Sequence, residues 1–137
     1  MSIYFSGTFT RSAGLLSAIT KQVNQINLKS VKKIQVQFDP FHPNAVTARN
    51  FLYYISIPKV QETNLNCILK TNVVCDRSEP TIKVDLTDSG ETVQFLANNL
   101  SLLEVLQYFN KHISSKAKVD ETTTSQVQTT KQARRRK

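Results

Sequence analysis

Between Val31 and Phe38 apolar and polar positions alternate. Ile34, Val36 and Phe38 fall on one side of an extended backbone, with Lys33, Gln35 and Gln37 on the other. This period of two predicts a half-buried strand, and Pro40 and Pro43 end it. An apolar stripe at helical spacing follows at once, formed by Ala45, Ala48, Leu52 and Ile55 with Phe51 beside it. Asn44 stands where a helix cap belongs, and Pro58 marks the end near Ile57. Asn64–Val74 reads as a second strand with Leu65, Cys67, Leu69 and Val73 on one parity. Ile82, Val84 and Leu86 alternate with Lys83, Asp85 and Thr87 in a third, and Thr92–Leu96 returns as a fourth. Asp88-Ser89-Gly90 supplies the positive-φ turn between them. Ser101-Leu102-Leu103-Glu104 has the form of a capping box, and Leu100 and Val105 that of a hydrophobic staple. Leu102, Val105, Leu106, Phe109 and Ile113 form the buried stripe of this last helix, which is predicted to end near Ser114.

Before the first strand, Leu15, Leu16, Ile19, Val23 and Ile26 recur at helical spacing. The expected organisation is an amino-terminal extension over 1–28, an α/β domain over 29–114 and a basic flexible tail over 115–137. The order β-α-β-β-β-α, with a parallel first crossover and then an antiparallel hairpin, is the plan of the thioredoxin-like fold.

Charge divides the 137 residues unevenly. Lys and Arg minus Asp and Glu give +2 for 1–28, +4 for 29–60, −3 for 61–113 and +5 for 114–137, which sum to +8. Basic ends around an acidic middle fit a polyanionic partner, against the alternative of a solvated lysine-rich surface. Residues 1–28 contain no acid and are rich in Ser and Thr. That is the composition of a mitochondrial import signal, although an ordinary surface helix reads the same way. The tail, ending Lys131-Gln132-Ala133-Arg134-Arg135-Arg136-Lys137, has too few apolar residues to offset its ordering entropy and is expected to be disordered when free. At roughly 3.4 Å per residue it reaches about 80 Å. Its readings are a phosphate-binding arm, a solvated end or a nuclear-import-like cluster. The candidate RNA contacts, chosen by charge, are Lys29, Lys32, Lys33, Lys59, Lys131, Arg134, Arg135, Arg136 and Lys137. Five tail contacts imply a salt exponent of about −3.5 to −4.5.

No catalytic constellation emerges. Redox members of the fold place Cys-x-x-Cys at the start of the first helix, where Asp39-Pro40-Phe41-His42-Pro43-Asn44 stands here. Pro80 stands immediately before the third strand, where those members carry a cis-proline, and a cis bond is the expectation there. Cys67 and Cys75, on one strand, would lie about 26 Å apart, beyond the roughly 7 Å reach of a disulfide. His42 and His112 read as surface or loop residues, the three glycines form no phosphate loop, and no run suits a membrane span. No metal, cofactor or small-molecule substrate is expected.

Val31–Phe41, Thr63-Asn64-Leu65-Asn66-Cys67 and Ser78-Glu79-Pro80, in this order and spacing, resemble the mitochondrial large-subunit ribosomal protein family numbered fifty-three. The resemblance runs from about Ser30 to Ile113. It implies a non-enzymatic thioredoxin-like domain in the mitochondrial matrix, supporting translation on the large mitoribosomal subunit. The implied partners are ribosomal RNA and neighbouring ribosomal proteins, near the base of the factor-binding stalk. The rival readings are a nuclear or free basic RNA-binding adaptor and, disfavoured, a thiol oxidoreductase.

Overall fold

A computed structural model describes residues 14–87 and 90–117. Nine elements follow in order: α1 (Leu15–Val23), β1 (Val31–Phe38), α2 (Ala45–Ile55), α3 (Pro58–Gln61), β2 (Ile68–Val73), β3 (Thr81–Leu86), β4 (Thr92–Leu96), α4 (Leu102–Phe109) and a π-helical turn (Asn110–Ser114). The four strands form one mixed sheet in the order β2-β1-β3-β4. β1 is parallel to β2 and antiparallel to β3, and β3 is antiparallel to β4.

The alternation in β1 determines which face the helices cover. Ile34, Val36 and Phe38 are buried; Ile34 and Val36 are in register with Val84 and Ile82 of β3, and these in turn with Val93 and Phe95 of β4. α2 lies against β1, α4 against α2, and α1 against α4. Phe51 and Phe109 meet in the middle with ring centroids 5.8 Å apart. Val31 is fully buried although its parity matches that of Lys33. A bulge reconciles them: Val31 pairs with Leu86 and Lys33 with Asp85, so two steps on β1 match one on β3.

The opposite face carries no buried residue. Its central cross-strand row is Lys70, Gln35, Lys83 and Gln94. Ile68, Lys33, Asp85 and Thr92 flank it on one side, and Asn72, Gln37, Thr81 and Leu96 on the other.

Several expectations are corrected. Asn44 precedes α2 but makes no side-chain cap; its amide donates to Asn98 O and Oδ1 at 3.1 and 2.8 Å. α2 ends at Ile55, and Pro58 opens the short helix α3, because proline's missing amide hydrogen is no loss in a first turn. The second strand begins at Ile68, since Asn64 Oδ1 accepts from Asn66 N at 3.0 Å and bends the preceding residues into a turn. Leu15 and Leu16 are 63% and 74% exposed, so the apolar stripe is buried only from Ile19 on. The Glu79–Pro80 bond is trans. The last helix passes Ser114 through the π turn and continues over residues 115–117, burying Ala117. The capping box forms as expected: Ser101 N donates to Glu104 Oε2 at 2.8 Å, and Glu104 N to Ser101 Oγ at 3.4 Å. Gly90 has φ +63°, the conformation its turn required, while Asp88 and Ser89 lie outside the described residues.

Candidate nucleic-acid interface

The candidate cations do not share one surface. Lys29 is exposed in the turn before β1, and Lys32 is exposed at the bulge. Lys33 is half-buried on the open face of the sheet. Lys59 belongs to the helical layer, where its Nζ donates to Asn24 Oδ1 at 2.9 Å and ties α3 to the turn after α1. Lys131, Arg134, Arg135, Arg136 and Lys137 lie outside the described residues. The sheet instead brings Lys70 and Lys83 beside Lys33. Charge sums over consecutive residues missed both, because they fall in the acidic block 61–113. Strand parity already put Lys83 on the polar side of β3, and the signal that was missing was strand adjacency.

The start of α2 is held by amide and carboxylate side chains. Asp39 is 1% exposed; its Oδ1 accepts from Phe41 N and its Oδ2 from Arg77 N, both at 2.8 Å. Arg77, at φ +56°, is thereby fixed in the left-handed region. Asn98 continues the chain from Asn44, donating through Nδ2 to Glu79 Oε1 at 3.2 Å. These bonds lock the β1–α2, β2–β3 and β4–α4 loops together. Cys67 and Cys75 are both free thiols. Cys67 is half-buried, and burial pushes its thiol pKa up, away from the thiolate that redox chemistry needs. His42 Nδ1 accepts from Asn44 N at 3.2 Å, and His112 stacks on Tyr108 with centroids 6.3 Å apart. Among the described residues, no group of three or more His, Cys, Asp or Glu is placed to hold a metal, and no helix is long and apolar enough to cross a membrane.

The recognisable sequence blocks are clamps. Asn64 donates through Nδ2 to the carbonyls of Leu28 and Val31, both at 2.9 Å. Thr63 Oγ1 accepts from Leu28 N at 3.1 Å and donates to Val60 O at 2.6 Å. The block Thr63–Cys67 thus fixes the chain entering β1. Within Ser78–Pro80, the carbonyl of Pro80 accepts from Ala97 N at 3.0 Å and anchors the start of β3.

The fold and its surface therefore define a small mixed α/β protein with a four-stranded sheet that is covered by helices on one face and polar on the other. Residues 38–89 match the model of the family described as 39S ribosomal protein L53/MRP-L53. The matched residues run from the end of β1 through β3 and contain Asp39, Thr63, Asn64 and Pro80.

Proposed function

We propose that this protein is a structural, non-enzymatic component of the large mitoribosomal subunit. It contacts ribosomal RNA and neighbouring ribosomal proteins near the base of the factor-binding stalk and supports mitochondrial translation. The carrying observation is the family match over residues 38–89, which takes in the loop clamps that give the domain its shape. The strand order, with β1 parallel to β2 and antiparallel to β3, supports a thioredoxin-like domain put to use for its surface. The basic residues beyond 117 act as a phosphate-binding arm, whose contacts hold the protein in place without reading bases. The acid-free amino terminus serves import.

Sucrose-gradient sedimentation of a mitochondrial lysate tests this reading. The expected result is co-migration with the large subunit that persists at moderate salt. A protein confined to the top of the gradient, with a carboxy-terminally tagged form concentrated in the nucleus, would favour the free-adaptor reading instead. Cross-linking of the assembled subunit to the proteins of the stalk base tests the position.

A further inference from the structure

The open face of the sheet collects cations that are scattered in the sequence. Gln35 stands in register between Lys70 and Lys83, and Lys33 is two residues before it on the same strand. With strands about 4.8 Å apart and about 3.3 Å per residue, the three lysine α-carbons form a triangle with sides of about 8 to 10 Å. That is close to the Debye length of about 8 Å at physiological ionic strength, so their fields add. Asp85, the acid of this face, stands opposite Lys33, but its Oδ1 accepts from Thr92 Oγ1 at 3.0 Å. Among the described residues, none of the three lysines has a carboxylate within ion-pair distance.

The rest of the face distinguishes between partners. Protein interfaces are enriched in aromatic residues, Met and Arg and depleted in Lys. This face has none of the enriched types and three lysines, set among Gln, Asn and Thr. Lysine, amide and hydroxyl side chains are what meet phosphate and ribose oxygens. Without an aromatic, the face offers no platform for base stacking.

We propose that this open face is a docking platform for the sugar–phosphate backbone of structured RNA, with Lys33, Lys70 and Lys83 each meeting a phosphate. The proposal rests on the ribosomal reading above and assigns a surface to it. Ile68 and Leu96, 60% and 50% exposed at opposite corners, would lose water when the face is covered.

The test titrates the full-length protein against a labelled mixed-sequence RNA duplex between 50 and 200 mM salt. It compares wild type with Lys33→Gln/Lys70→Gln/Lys83→Gln and with Lys29→Gln/Lys32→Gln/Lys59→Gln, after circular dichroism confirms both folds. Removing three phosphate contacts is expected to reduce the salt exponent by about 2 to 3, making the loss of affinity across that range about 20- to 40-fold smaller. A sheet variant indistinguishable from wild type overturns the platform and leaves the ribosomal reading standing. So does a wild type that sediments with the large subunit yet does not bind the duplex. Lysine-reactive cross-links in purified large subunits that join these three lysines to a neighbouring protein, without ultraviolet cross-links to RNA, overturn it in favour of a protein partner. A wild type that neither binds the duplex nor sediments with the subunit overturns both.

Discussion

Asp39 joins two loops that are far apart in sequence, accepting one amide from each while itself out of water. Hydrogen bonds to a charged group contribute about 1.5 to 3 kcal/mol each, and a buried amide left unpaired costs a similar amount. Asp39→Asn keeps the volume but loses the charge and one acceptor oxygen. It is expected to destabilise the domain by roughly 2 to 4 kcal/mol in urea unfolding, because its new NH2 meets an amide donor. A change under about 0.5 kcal/mol would mean that water satisfies Phe41 and Arg77 equally well. The same logic separates what the sequence reveals about single residues from what it hides. The prolines announced that β1 ends, whereas Cys67, on the apolar parity of the second strand, is only half-buried. Nothing in the local pattern distinguished Asp39 from an exposed turn residue, since its second partner is 38 positions away.

At the scale of elements, α4 was the most legible, because a capping box is specified by neighbours within one turn. Ser101→Ala removes the acceptor for Glu104 N and is expected to cost about 1 kcal/mol. The Ser101 amide, and next its hydroxyl, hold the Glu104 carboxyl below the usual carboxylate range. A carboxyl lowered on folding stabilises the fold fully above its unfolded pKa of about 4.3, and that contribution fades as pH falls through the lower folded value. The difference in melting temperature between wild type and Glu104→Gln is therefore expected to be constant near neutrality and to shrink below about pH 4. A constant difference down to pH 2 would remove the carboxylate from the account. The amino-terminal helix was less legible. Periodicity gives the angle of an apolar stripe but not how far the partner helix extends along it, so Leu15 and Leu16 were grouped with Ile19 although both are exposed. Strand parity was sound in β3, but Val73, on the apolar parity of the second strand, is exposed on the edge strand β2, and at Val31 the bulge shifts the phase by one residue.

For the whole molecule, helices on one side and a polar sheet on the other mean that the buried core and the proposed RNA platform occupy separate faces. Neutralising Lys33, Lys70 and Lys83 leaves the core untouched, whereas shortening the amino terminus does not. Ile19, Ile26 and Leu28 belong to the core, Asn110 Nδ2 donates to Gln22 O at 2.9 Å, and Asn27 N donates to Ser114 Oγ at 3.2 Å. Import processing that removed all of residues 1–28 would strip these contacts. Intact-mass measurement of the mature protein is therefore expected to place its first residue before Ile19, and a terminus after Leu28 would show that the core forms without them. The parallel crossover and the antiparallel hairpin were legible from the order of elements, but the order of strands across the sheet was not. Lys33, Lys70 and Lys83 became one surface only when β1 was seen between β2 and β3.

The bulge in β1 also bears on how the chain tolerates changes in length. Without Lys32 the order Val31, Lys33, Ile34, Gln35, Val36 alternates in perfect phase, so the extra residue is the one that the bulge absorbs. Deleting Lys32 is expected to leave thermal unfolding within a few degrees of wild type. Deleting Gln35 throws Ile34 or Val36 onto the polar face and should abolish cooperative unfolding. Length variants among related chains should accordingly gather at this position and be missing from the remainder of the strand.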